Sequence, residues 1–298
     1  MLLRHRGTSS RIRHSTFFSL LLLAAGTVIL TAPALPQGPP TPPPPPPVYS
    51  PAQLDNLVAR IALYPDSLLS QVLAAATYPD QIPEAAAWAN QHNYLRGDDL
   101  ARAIQDDQIP WDPSVQALLP FPTVLDMMSR DMAWTSDLGN AFLAQQQQVM
   151  DAVQRMRQQA WNYGYLRSNS QVVVNRSGPY VEIVPVNPAY VYVPVYNPVV
   201  VFARPRPGFA IHAAISFGPA VTVGPAFHPW GWGANHFAWS SHTVIINNRP
   251  WTRTWNNRVT YVHPYSVRRY TAPHHVEHHD LREHRPPEHG RPRDRRDH

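Results

Sequence analysis

The chain has 298 residues, 34 of them Pro, 25 Arg, and neither Lys nor Cys. No disulfide can staple it, and the Pro content, about twice the usual share, excludes an all-helical protein, so part of the chain must run extended or turn. The formal charge of +5 hides an uneven spread: residues 48–167 carry 7 Arg against 13 acids, whereas residues 168–272 carry 8 Arg against 1 acid. The two stretches should attract each other, or separately attract unlike partners.

Residues 1–34 read as a signal peptide. Arg4, Arg6, Arg11 and Arg13 precede the apolar run 17–30, and Ala32-Pro33-Ala34 forms a small-residue cleavage site. Fourteen apolar residues are short for a bilayer core that needs about 20, so membrane contact is expected only if the signal stays uncleaved. Without a lipid-acceptor Cys or an adjacent Arg pair, the Sec route is expected, with the periplasm or outer envelope as destination. Residues 35–49 are a Pro-rich linker, extended as polyproline II and serving as a spacer.

Residues 50–167 read as an all-helical domain of about six to seven helices. Ser50, Pro51 and Gln53 form a capping box and N1 proline, and the first helix runs to Tyr64-Pro65. Asp66 then caps a second helix with Leu68, Leu69, Val72, Leu73 and Ala76 on one face, and Tyr78-Pro79-Asp80 punctuates again. Short helices follow over about 84–91 and 98–107. Asp112-Pro113 opens a fifth, Thr123 a sixth, and Thr135 or Ser136 a long last helix reaching Trp161 with Leu138, Phe142, Val149, Val153, Met156 and Ala160 as its stripe.

Residues 168–272 change period. Val/Tyr alternation around 172–202 predicts short strands, with turns at Asn187-Pro188 and Asn197-Pro198, while Pro185 and Pro194 belong at sheet edges or bulges. The fold class is α+β: helices first, then a small irregular Pro/Val/Tyr/Trp-rich antiparallel β-module leaning on them. The tail 273–298, with 7 His, is expected to be disordered.

IALYPDSLLSQVLAAATYPDQI, the stretch WDPSVQALLPFPTVLDMMSRDMAWTSDLGNAFLAQQQQVMDAVQRMRQQA and IVPVNPAYVYVPVYNPVVVF together resemble the exported bacterial family catalogued as domain of unknown function 3300, over about residues 50–202. The resemblance implies an exported protein of Gram-negative type with a helical region before a Val/Tyr/Pro-rich one, and it brings no catalytic residue or ligand.

Three groups of residues invite chemistry. Asp98, Asp99, Asp106 and Asp107 flank one short helix; they suit helix ends and solubility better than an oxygen-ligand metal site, lacking calcium-loop spacing. His274, His275, His278, His279 and His284 would stand one turn apart in a helical tail and suit zinc or nickel, or simply form a solvated, acid-sensitive tail; no other cofactor is implied. Trp230, Trp232, Trp239, Trp251 and Trp255 lie among Arg249, Arg253 and Arg258. They could bind a glycan or acidic polymer by stacking and charge, or fill a small core. Export argues against nucleic acid. With no Cys nucleophile and no G-x-S-x-G, H-E-x-x-H or phosphate-loop motif, the chain reads as a non-enzymatic envelope protein that meets an envelope protein or acidic polymer. A hydrolase acting on a cell-wall or surface polymer, and a metal-binding role for the tail, are the alternatives.

Overall fold

Pro51 at the first helical position and a reciprocal capping box start α1 (Pro51–Val58): Ser50 Oγ accepts the Gln53 N–H, and Gln53 Oε1 accepts the Ser50 N–H at 2.8 Å. The computed structural model describes residues 44–205 and 214–267. The expected signal peptide, most of the expected linker and the His-rich tail lie outside these residues.

α1 ends six residues short of Tyr64, a correction to the longer first helix expected from sequence. Residues 59–64 turn instead, because tertiary partners take their backbone groups. Tyr196 Oη accepts the Leu63 N–H and donates to Ala59 O, while the Arg157 guanidinium donates to Ala62 O and Tyr64 O. α2 (Asp66–Ala76) follows Pro65, with ten of its eleven residues buried. An apolar helix of this kind sits in the middle of a protein, and α2 packs on α5 (Pro113–Gln116) and α7 (Met132–Ala144). Between them come α3 (Ile82–Gln91), α4 (Gly97–Asp106) and α6 (Pro122–Arg130), with α3 packed on α6.

The expected long last helix is two helices. α7 is capped by Asp131, whose carboxylate accepts the Trp134 N–H at 3.1 Å, and not by Thr135, which is buried and donates to Met128 O. Gln145, at φ −140°, separates α7 from α8 (Gln146–Asn162), and its side-chain amide pairs with both backbone groups of Tyr49.

α7 and α2 approach so closely at Gly139 that an added Cβ would lie 2.0 Å from Ala76 O. Gly139→Ala is therefore expected to destabilise by about 1–3 kcal/mol, because a backbone carbonyl must move; a melting temperature unchanged within a degree or so would refute the contact.

The β-rich part forms three small antiparallel sheets. β1 (Val172–Ser177) and β2 (Tyr180–Pro185) make a hairpin turning at Gly178-Pro179 with Gly178 at φ +58°. β3 (Tyr190–Tyr196) pairs with β4 (Ile215–Thr222), and their register shifts between Tyr192 and Pro194, so Pro194 marks a bulge as expected. Asn187 makes the expected turn, whereas Asn197 caps one helical turn, α9 (Pro198–Val201). β5 (His236–Ala238), β6 (Thr243–Ile246) and β7 (Arg249–Pro250) form the third sheet, with Asn247 and Asn248 at positive φ in its tight turn.

The described residues from Pro45 onward form one compact unit. Val191, Phe227, Trp230, Trp232, Phe237, Trp239, Val244 and Trp251 share a single buried cluster with the helices. The outer edge of β2 is closed by helix side chains: the Gln154 amide accepts from Val181 N and donates to Val181 O, as a neighbouring strand would. Among the described residues no helix is long and apolar enough to cross a membrane.

Candidate functional site

The Trp/Arg group does not come together as a surface. Trp230, Trp232, Trp239 and Trp251 are buried, none more than 5% exposed. Three of them fasten the β-rich part to the helices through their indole N–H groups. Trp230 donates to Gln116 Oε1, Trp232 to Ala117 O and Trp239 to Asp66 Oδ2, at 2.8–3.1 Å. Ring faces turned inward offer nothing to a polymer in solvent, so here these indoles are packing groups. Arg253 is also buried, Arg249 is exposed, and the Arg258 guanidinium lies 3.8 Å from the centre of the half-buried Trp255 ring. The five His of the proposed metal site lie outside the described residues. Among the described residues no three His, Asp or Glu side chains are grouped to hold a metal ion. Of the four acids around α4, Asp98 and Asp99 occupy its first turn and Asp107 accepts the Trp88 indole N–H.

Arg60–Asp131, Arg155–Asp55 and Arg157–Asp66 all lie within the helical part, whereas His242–Asp151 and His263–Asp112 cross to the β-rich part.

Two polar constellations lie at this seam. In the first, Arg157 is fully buried: Nε donates to Ala62 O, Nη1 to Asp66 Oδ1 at 2.6 Å and Val181 O at 2.9 Å, and Nη2 to Tyr64 O. Asp66 in turn accepts from Trp239 Nε1 and, at 3.4 Å, from the Ile183 N–H. Beside this clamp opens a cleft of about 340 Å³, formed by Asp66 and Ser67 at the start of α2, Glu182, Val184 and Pro185 of β2, and the 232–237 segment. Ser67 Oγ and Asn235 Nδ2 are buried on its lining without hydrogen-bond partners. Asn235 is 92% buried and held by Asn247, whose N–H donates to its Oδ1; Gly231, at φ +91°, leaves room for that oxygen.

The second constellation surrounds Asp112. Its Oδ1 accepts from His263 Nε2 at 2.9 Å and from the Ser114 N–H and Oγ, and so caps α5 as expected. Burial disfavours its charge, but the hydrogen bond and charge of His263 and the Ser114 bonds outweigh burial and hold the carboxyl below its ordinary range. Burial, then the Asp112 charge, push the Tyr78 phenol well up, and Arg253 lies over the Tyr78 ring at 3.7 Å.

Arg157 had one legible signal: it falls on the buried stripe of α8 between Met156 and Ala160. Asp66 reads as a cap from sequence alone, but the structure places it inside the first turn of α2 behind Pro65, with no side-chain capping bond, and nothing local marks Ser67, Glu182, Asn235, His236 or His263.

The family described as protein of unknown function (DUF3300) matches residues 50–280, more than three quarters of the chain. The chain belongs to this family. The match takes in the Trp-rich β part that fills the seam, beyond the 50–202 stretch where the resemblance is legible by eye. The uncharacterized protein YacH of Escherichia coli (strain K12) is 37% identical over an alignment of 188 residues that covers 52% of this chain and 30% of that protein. The chain thus spans less than a third of that relative. No solved structure matches it.

Proposed function

We propose that this DUF3300 protein is an exported envelope protein that acts by binding and not by catalysis, and that the seam cleft is where it binds. The observation that carries this reading is the seam cleft itself, whose mostly apolar lining also includes Asp66, Ser67, Glu182 and Asn235. A concave, mostly apolar site with a few convergent polar groups is the form ligand sites take.

The same geometry speaks against the hydrolase alternative. Asp66 is committed to Arg157 and Trp239, and Ser67 Oγ has no hydrogen-bonded base to activate it. The export half of the proposal rests on the sequence of residues 1–34.

The test uses the full chain and a soluble envelope extract. Extract containing ligand at about ten times its dissociation constant is expected to raise the melting temperature by about 3–6 °C. The shift should vanish in Val184→Trp, which fills the cleft. Two results overturn the reading: release of polymer fragments that is lost in Ser67→Ala, which makes the cleft an active site, or a cytosolic location in fractionated cells.

A further inference from the structure

We infer that the corner formed by β3 and α9 is a contact surface for an anionic lipid bilayer, into which Val195 and Val199 insert. This surface shares no lining residue with the seam cleft and does not depend on what the cleft binds. An open groove of about 390 Å³ with a mostly apolar lining runs there between the α1–α2 turn (Arg60, Tyr64), α6 (Thr123, Met127) and residues 193–198. Val195, on its wall, is 60% exposed, and Val199, next to the lining residue Pro198, is 81% exposed.

Single exposed valines are ordinary on a protein surface, but two beside an apolar groove make a patch. Neither owes its exposure to loose attachment. Asn197 caps α9 by accepting the Val199 N–H on its side chain at 3.0 Å, and Val201 on the same turn is fully buried. The Tyr196 hydroxyl bonds to Ala59 O and the Leu63 N–H, and its ring meets Phe202 edge-on at 6.1 Å. α9 is thus tied down on both flanks, and Val199 stands on the outward side of a fixed turn. A backbone already held in place has little freedom left to lose on binding.

Charge selects the kind of partner. Arg60 lines the groove; Arg130, exposed, falls on the same stripe of α6 as Thr123 and Met127; and Arg204 is exposed just beyond α9. Asp131 pairs with Arg60 and Asp126 stands 3.7 Å from Arg130, so the rim by itself is only weakly positive. The wider β-rich part fixes the sign, with 8 Arg against 1 acid over residues 168–272. In an anionic bilayer the charged headgroups and the apolar layer lie side by side, which matches protruding valines bordered by Arg. A few side chains of this size give weak and reversible attachment. A protein partner would need a face of about 800 Å² per side, larger than one groove and two valines.

The test uses the chain from Pro45 onward, the compact unit that holds the described core, because the apolar run 17–30 would enter a bilayer by itself. Vesicles of phosphatidylglycerol mixed with phosphatidylcholine are expected to sediment half of the protein at about 0.1–1 mM accessible lipid in low salt. Phosphatidylcholine alone should bind about tenfold more weakly. Val199→Asp should weaken binding to the anionic vesicles about tenfold, and Val195→Asp severalfold. Both positions are exposed, so melting temperatures should stay within about 2 °C of wild type. Arg204→Gln should cost about fivefold on anionic vesicles and nothing on phosphatidylcholine. Absence of sedimentation at about 10 mM anionic lipid, or wild-type binding by both Val variants, overturns the inference. Equal binding to phosphatidylcholine alone overturns its anionic part. A dimer that Val199→Asp abolishes, seen without vesicle binding, would make this corner an interface between copies and overturn the lipid reading.

Discussion

Replacing Arg157 with Met is expected to cost about 3–5 kcal/mol, a large part of the 5–15 kcal/mol that holds a typical domain folded. The side chain has no solvent exposure, and the substitution removes the guanidinium that donates to three backbone carbonyls and one carboxylate. Asp66 would keep Trp239 Nε1 and the Ile183 N–H, but its charge would stay buried without a counter-ion. Replacing the whole ion pair by apolar groups can be neutral in other proteins. Here it is not expected to be, because Ala62 O and Tyr64 O would lose the Arg157 donor in a buried setting, whereas Val181 O keeps Gln154 Nε2. Asp66→Asn combined with Arg157→Met should be less damaging than the two single costs added, by about 1–3 kcal/mol, since the second change relieves the orphaned charge. Urea unfolding of the four proteins measures all of this. A loss under 1 kcal/mol for Arg157→Met would mean that the clamp is not what joins α2, α8 and β2.

That clamp also shows where the sequence is legible and where it is not. Local rules located Ser50, Asp112 and the Pro194 bulge, because a cap or a missing N–H acts on its own neighbours. They also placed α2, whose apolar residues leave no other reading. They failed where a distant partner decides. The end of α1 depends on Tyr196 and Arg157, from 137 and 95 residues away, and the break at Gln145 depends on Tyr49. The indoles posed the same problem. Trp beside Arg suits either a binding surface or a core, and only the facing helices, with Gln116, Ala117 and Asp66 as acceptors, select the core. The cleft was illegible for a like reason: Ser67, Glu182 and Asn235 are far apart in sequence and meet only at the seam.

Asp112 carries the second large effect, and pH exposes it. Residues 251–267 form no helix or strand, and His263, Arg253 and the Trp255 N–H, which donates to Leu143 O, tie them to the helices. His263 donates to Asp112, while Arg253 donates to Thr77 O and Oγ1 at 2.6 and 2.7 Å. Around Asp112 stand Ser114 on its own element, Tyr78 and Arg253 beside it, and Tyr261 and Tyr265 within electrostatic reach. His263 is ringed by Trp251, Tyr261 and Tyr265 at 5.0–5.5 Å between ring centres, so it cannot leave without opening that cluster. Because the Asp112 carboxyl is held below its ordinary range, the folded state favours its charged form. The resulting stability is fully present above the unfolded value near 4 and is lost as pH falls through the lower folded value. Asp112→Asn should therefore be less stable than wild type by about 2 kcal/mol at pH 7, where one charge-assisted bond becomes a neutral one. The gap should shrink as pH falls below about 4, as the wild-type carboxyl also becomes neutral. Urea midpoints measured across pH 2–7 decide the matter. A gap that stays constant down to pH 2 would show that Asp112 acts through shape and capping alone, and that the charge of its carboxylate does not hold the last segment in place.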